Sequence, residues 1–386
     1  MNTVKNFNLN NKTVILRCDL NVTIKDGQII DDTRIASSLK TITYILDQNA
    51  KLIIMSHLGK VKTEADKKLN DMKIVYERIN ELLPNKVSFI NSTNYEEIKE
   101  KLNDIDYGKA LLIQNTRYED LNGKKESNCD ETLSKNWASL GEIFVNDAFG
   151  TIHRKHASNY GISSHLPSAI GFLIEDELRH LNKLDNPERP FIVIMGGAKV
   201  QDKISTLKYL IDKADYILVG GAIAYTFLHA QNFEVGESIK EEESIELCIE
   251  LLEKYKEKII LPKDFYGKIN DNKVLQRVGE ITDNFKGLDI GKDTVEKFKE
   301  VLSKAKTVFW NGPLGMYEDQ NYICGTKAIL EYLKNNVETV ILGGGDIVAS
   351  SNLLGYTKDI TFASTGGGAT LEYLTNHEQP GLINIQ

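Results

Sequence analysis

Short apolar runs, each followed by a glycine-rich or polar loop and then by a stretch of helical period, recur along the whole chain. In the first half they lie at 13–16, 52–55, 110–113 and 143–145. In the second they lie at 191–195, 216–219, 258–261, 307–310, 339–342 and 360–363. They are too short for independent helices and rich in Ile and Val, so they read as strands buried on both faces of parallel sheets. Segments 32–46, 72–83, 130–140, 241–255, 294–302 and 326–333 carry apolar residues at helical spacing. This alternation predicts an α/β fold with helices on both faces of each sheet.

The interval 166–190 breaks the rhythm. It holds Pro167, Gly171, a charged helix-like stretch over 175–184, and then Pro187 and Pro190. A domain at 1–168, a linker at 169–190 that serves as a hinge, a second domain at 191–372 and a tail at 373–386 follow from that reading. A length of 386 residues lets each domain bury its own core.

Composition narrows the function. The net charge is −8, from 47 Lys+Arg against 55 Asp+Glu, which disfavours a general nucleic-acid binder. No run approaches the ~18 apolar residues of a membrane helix, and residues 1–12 lack the apolar core of a signal peptide. Cys18, Cys129, Cys248 and Cys324 have no zinc or disulfide spacing. The expectation is a cytoplasmic protein that binds neither membrane nor nucleic acid.

Ligands of open α/β sheets bind beyond the carboxyl ends of the strands. In the first half those ends read Arg17-Cys18-Asp19-Leu20-Asn21, Ser56-His57-Leu58-Gly59-Lys60, Gln114-Asn115-Thr116-Arg117 and Asn146-Asp147-Ala148, with His153-Arg154 close behind. Arg34, His57, Lys60, Arg117 and Arg154 would converge on one cleft suited to a small, strongly anionic molecule. Arg78 lies mid-helix near Glu77 and Glu81 and reads as an ion-paired surface residue; Arg179, Arg189 and Arg277 also read as structural. In the second half the strand ends are glycine-rich: Gly196-Gly197-Ala198-Lys199, Gly220-Gly221, Asn311-Gly312-Pro313, Gly343-Gly344-Gly345-Asp346 and Gly366-Gly367-Gly368. Bare backbone before a helix N-terminus suits phosphate. Lys199 and Lys203 stand at i, i+4 and can face one side. There is no GxxxxGK[ST], GxGxxG after a strand, HExxH or GxSxG.

On these segments the chain resembles the phosphoglycerate kinase family: RCDLNV at 17–22, DDTRI at 31–35, SHLGK at 56–60, NTRY at 115–118, NDAFGTIHRKHAS at 146–158, GGAKVQDKI at 196–204, VFWNGPLGMYE at 308–318, GGGDIVAS at 343–350 and STGGGATL at 364–371. The resemblance implies two doubly wound parallel-sheet domains, with the C-terminal tail returning to the first. It implies reversible phosphoryl transfer between 1,3-bisphosphoglycerate and ADP by a monomer. The substrate positions it implies are Asp19, Leu20, Asn21, Arg34, His57, Leu58, Gly59, Lys60, Arg117 and Arg154. For ATP or ADP they are Gly197, Lys203, Gly221, Asn311, Glu318, Gly344, Gly345, Asp346, Ile347, Gly366 and Gly367, with Asp346 contacting Mg²⁺. Arg34, Lys199, Gly345 and Gly368 are the implied catalytic positions.

Five positions depart from the family's usual pattern. Lys60 stands in place of Arg, Val61 of Pro, Thr23 of Pro, Gln114 of Glu, and Ile347 of Ser or Thr. Lys60 keeps a charge but loses the bidentate fork. The chemistry explains why no Ser/His/Asp set stands out. A carboxylate is already an anionic nucleophile near pH 7, so catalysis rests on positioning and charge neutralisation.

Overall fold

The computed structural model describes residues 1–121 and 123–386, in two compact units. Unit 1 is Met1–Leu178 with Asn376–Gln386; unit 2 is Arg179–Thr375.

Unit 1 contains β1 (Thr13–Cys18), the small hairpin of β2 (Ile24–Lys25) and β3 (Gln28–Ile29), β4 (Lys51–Met55), β5 (Val87–Phe89), β6 (Ala110–Leu112), β7 (Ile143–Asp147) and β8 (Ser168–Ile170). Six of these form one parallel sheet in the order β5-β6-β4-β1-β7-β8. Strand side chains alternate between faces, and the core divides accordingly. Val14, Leu16, Leu52, Ile54 and Val145 pack on one side; Ile15, Ile53, Met55, Ile113 and Phe144 pack on the other. The helices are α1 (Thr33–Asp47), α2 (Glu64–Leu69), α3 (Lys73–Leu82), α4 (Tyr95–Leu102), α5 (Glu131–Ala138) and α6 (Phe172–Leu181). Their starts are written in side chains: Asn94 Oδ1 accepts from the Glu96 and Glu97 N–H groups, and Asp130 from Leu133. The division between the units falls inside α6.

The last residues complete unit 1. Asn146 Nδ2 donates to the Gly381 carbonyl at 2.8 Å, and Gly381 N–H donates to Ile152 O at 2.7 Å. Leu382 and Ile385 are buried there.

Unit 2 holds β9 (Phe191–Met195), β10 (Tyr216–Val219), β11 (Ile259–Ile260), β12 (Asp264–Ile269), β13 (Asn272–Arg277), β14 (Lys286–Ile290), β15 (Thr307–Asn311), β16 (Thr339–Leu342) and β17 (Phe362–Ala363). The parallel sheet runs β11-β10-β9-β15-β16-β17. After β11 the chain crosses to the far side of β9, so the loops after β9 and β15 flank a topological switch point. Its helices are α7 (Ile204–Ile211), α8 (Ile223–Ala230), α9 (Ile245–Tyr255), α10 (Lys292–Leu302), α11 (Cys324–Asn336), α12 (Gly345–Leu354) and α13 (Gly368–Thr375). A separate antiparallel sheet, β13-β12-β14, is an addition that the apolar-run pattern does not reveal. The runs at 258–261 and 360–363 yield only two paired residues each, at the sheet's two edges. Among the described residues no helix is long and apolar enough to cross a membrane.

Candidate active site

In unit 1 the strand ends are tied into one floor by polar side chains. Asn115 is fully buried and clamps the loop after β4: its Oδ1 accepts from Leu58 N–H at 3.1 Å, and its Nδ2 donates to Leu58 O at 2.6 Å and Asn70 O at 2.9 Å. Asn21 Oδ1 accepts from Gly59 N–H at 2.8 Å. Ser56 Oγ accepts from Leu20 N–H at 2.9 Å. Leu20 and Leu58 are core residues whose backbone N–H groups are spent on these bonds. They shape the loops and offer no polar side chain to a ligand.

Gln114 shows why an amide suits its buried position. Its Oε1 accepts from the Met72 and Asn115 N–H groups, and its Nε2 donates to Asp71 at 2.9 Å and Asn91 at 2.7 Å. A carboxylate there would lose both donations and face Asp71.

The cations gather on this floor. Arg34 pairs with Asp19. Arg117 Nη1 donates to Asp120 at 2.7 Å and also to Ser127, while its Nε is buried without a partner. Burial first, and then the charges of Arg17, Arg117, Arg154 and Arg34, hold the His57 pKa well below the ordinary imidazole value. Lys60, Lys62, Lys124 and Arg117 line an open cavity of about 850 Å³. The structure therefore brings together the residues that the sequence places at separate strand ends. Arg78 stands outside the cluster, paired with Asp32 at 2.7 Å and Glu81 at 2.5 Å. Arg189 pairs with Asp215 and Arg277 with Asp293.

Sequence reasoning missed the layer beneath. Glu126 is fully buried and accepts from Ser158 N–H at 2.9 Å and Ser158 Oγ at 2.5 Å. Ser158 Oγ in turn accepts from Arg17 Nε at 2.8 Å. The available signal was Ser158 itself, at the end of the 146–158 segment. His156 Nδ1 lies 3.8 Å from Glu126, yet burial and the arginines push its pKa down to about 3, so the two form no ion pair at neutral pH.

Asp147 ends β7 and serves α6. Its Oδ1 accepts from Leu173 N–H at 2.9 Å and Ile174 N–H at 3.1 Å, two orphan donors of the first turn. The Thr41 hydroxyl favours the charged form, but Oδ2 has no partner of good geometry, and burial raises the pKa to about 6. The folded state thus holds this proton more tightly than the unfolded chain, whose carboxyl titrates near ~3.9. The resulting stability is complete below about pH 4 and is lost as pH rises to about 6. Asp147→Asn keeps the Oδ1 acceptor and removes the buried charge. Denaturant midpoints followed across pH should show the slope between about pH 4 and 6 reduced in the variant; an unchanged slope would take Asp147 out of the pH dependence.

In unit 2 the loops after β9, β10 and β15 pack backbone on backbone. A Cβ on Gly221, whose φ is +62°, would meet Gly197 N at 2.6 Å and Pro313 O at 2.8 Å, so only glycine fits. Beside them is a cavity of about 280 Å³ lined by Gly197, Gly221, Tyr225, Ile239, Leu288, Leu314, Met316, Glu318 and Asp346, among others. Leu288 comes from the antiparallel addition, as does Asp289, which accepts from Gly325 N–H at 2.8 Å and is pushed up to about 7 by burial.

Lys203 donates to Asn311 Oδ1, and Asn311 Nδ2 donates to Gly343 O, so Asn311 ties three loops together. Burial lowers the Lys203 pKa, opposed by Asp346 and Asp202. Lys199 is exposed, with its ammonium in no ion pair among the described residues. The Ile347 side chain is fully buried, so only its backbone can face a ligand. Gly345 opens α12 and Gly368 opens α13, each with an unstrained φ and no atom beyond the local backbone within 4 Å of a would-be Cβ. Packing does not demand glycine at either place; the missing side chain leaves the helix N-terminus open.

A family model for phosphoglycerate kinase matches residues 4–377. The chain belongs to the phosphoglycerate kinase family. The phosphoglycerate kinase of Macrococcus caseolyticus is 47% identical over 393 residues, covering 99% of this chain and 98% of that one. That of Enterococcus faecalis is 46% identical over 390 residues, with the same coverage. Two solved phosphoglycerate kinases share the architecture. The Coxiella burnetii structure has a TM-score of 0.86 at 33% identity, covering 99% of this chain and 98% of that one. The Pyrococcus horikoshii structure has a TM-score of 0.88 at 31% identity, covering 100% and 98%. The chain is thus an enzyme, a kinase of this family, with the doubly wound α/β fold its strand pattern implies.

Proposed function

We propose that this chain transfers a phosphoryl group reversibly between 1,3-bisphosphoglycerate and ADP, giving 3-phosphoglycerate and ATP. The observation that carries the reading is the gathering of Arg34, His57, Lys60, Arg117 and Arg154 over one floor. A substrate with its own phosphate as well as a carboxylate makes use of that many cations; acetate does not. His57, Lys60, Arg117 and Arg154 bind the distal phosphate, Arg34 reaches the carboxylate end, and Asp19 and Asn21 take the hydroxyl. In unit 2 the cavity beside Gly197 and Gly221 receives the nucleoside, and the open N–H groups at Gly345 and at Gly366 to Gly368 receive its phosphates. Lys199 neutralises charge on the transferring group.

A single exposed carboxylate, Asp346, opens the first turn of α12. Mg²⁺ commonly takes one or two carboxylates plus substrate phosphates, so this donor set fits it. Asp346 would hold the ion, which supplies charge neutralisation on the nucleotide phosphates. The reading carries with it a cytoplasmic monomer.

A coupled assay tests the function: ATP turnover with 3-phosphoglycerate and none above background with acetate. Turnover with acetate alone would point to a different acyl-phosphate kinase; nucleotide binding without any turnover would point to a binding protein. Gly368→Ala tests the phosphate site. Stability should stay within about 0.5 kcal/mol of the parent, while kcat/KM for nucleotide falls by about tenfold or more. Unchanged kinetics would remove the α13 N-terminus from the site.

A further inference from the structure

Arg17 is fully buried, and each part of its guanidinium is committed. Nε donates to Ser158 Oγ at 2.8 Å, Nη1 donates to the Cys18 carbonyl, and Nη2 lies 3.2 Å from His57 Nδ1. Its own orientation is fixed from behind. The Ser158 hydroxyl gives its proton to Glu126, so its lone pair is left for Arg17. A guanidinium has donors only, so His57 Nδ1 must accept. A neutral imidazole that accepts at Nδ1 carries its proton on Nε2. Among the described residues no protein group takes a hydrogen bond from that Nε2.

We propose that Arg17 is a positioning residue that locks His57 as the neutral Nε2–H tautomer, so that His57 meets the substrate phosphate as an uncharged hydrogen-bond donor. This rests on reading the unit 1 floor as the site for a phosphorylated acid. Physically, Arg17, Arg34, Arg117 and Arg154 already surround the ring, with Asp19 paired to Arg34. An imidazolium there would add a fifth positive charge and set N–H against N–H at Nδ1. The neutral tautomer still donates to an anionic oxygen without either penalty. Arg17 thereby contributes to substrate binding from a place that no substrate reaches.

Long-range ¹H–¹⁵N correlation spectra of the ligand-free enzyme, ¹⁵N-labelled at histidine, read the tautomer directly. His57 is assigned among the seven histidines by its loss in His57→Gln. The expected signature, at about pH 7, is an acceptor-type Nδ1 and a protonated Nε2. A protonated Nδ1 or an imidazolium signature overturns the inference, even if the substrate binds there. Kinetics supply the second arm. The Gln amide can stand near Nε2 and the Asn amide near Nδ1. Both substitutions should therefore raise KM for 3-phosphoglycerate, His57→Asn by about tenfold or more and by at least about threefold more than His57→Gln does. Arg17→Lys, which retains a donor to Nδ1, should preserve the signature that Arg17→Met loses. An unchanged KM in His57→Asn, with the Nε2–H signature intact in the parent, overturns the reading of the floor as the substrate site.

Discussion

Lys199→Ala should lower kcat by about 10²–10³-fold while moving KM for either substrate by less than about fivefold. The neighbouring Lys203 is half-buried and held by Asn311, so removing Lys203 would disturb three loops as well as any ligand. Lys199 is exposed at the same strand end with no ion pair among the described residues. Its charge is available to a group that becomes more demanding only as transfer proceeds. An interaction made chiefly in the transition state appears in kcat and leaves KM nearly alone. Steady-state kinetics with both substrates varied decides it. A near-normal kcat would take Lys199 out of the mechanism; a raised KM at constant kcat would make it a simple nucleotide contact.

The second large effect is on stability. Glu126→Ala should cost about 3–5 kcal/mol in urea denaturation, although Glu126 lies beneath the site. It is fully buried, and burial raises its pKa while Arg17 and the two Ser158 donors lower it. Truncation leaves Arg17 as a buried charge without its counterweight and orphans the Ser158 N–H. Glu126→Gln restores one acceptor and should recover part of the loss. A cost below about 1 kcal/mol for the alanine variant would show that Arg17 is balanced through some other route.

Most strands of the two parallel sheets were legible because strands buried on both faces appear as unbroken apolar runs, and the residues after those runs fall at strand ends; β5 and β8 were not, being too short to show as runs, and β8 lies inside the 166–190 interval read as a linker. The antiparallel β12–β14 sheet was not legible in that way. β13 is largely exposed, its residues Asn272 to Arg277 mixing polar and apolar types. Its turn rests on Asn270 and Asp271, both with positive φ, which is a local signal and not an apolar run. The cationic side chains of the floor stand out in sequence because each is costly to place without a partner. The layer that orients them does not, because Ser158, Asn115 and Glu126 owe their importance to partners far away in the chain. Ile347 carries a different lesson. A missing hydroxyl looks like a lost contact in sequence, but the side chain points into the core, so the backbone is what can reach outward.

The tail sets an order on synthesis. Gly381 and Asn384 bond to Asn146, Ile152 and Tyr160, and Leu382 and Ile385 fill space in unit 1. A ribosome delivers those residues only after all of unit 2 has emerged. The first unit to be made is therefore the last to be finished. Until then the groove around Ile152 and Asn146 waits with an unfilled apolar strip and an unanswered amide, and a nascent chain stalled anywhere before residue 376 would present that raw surface to chaperones and proteases.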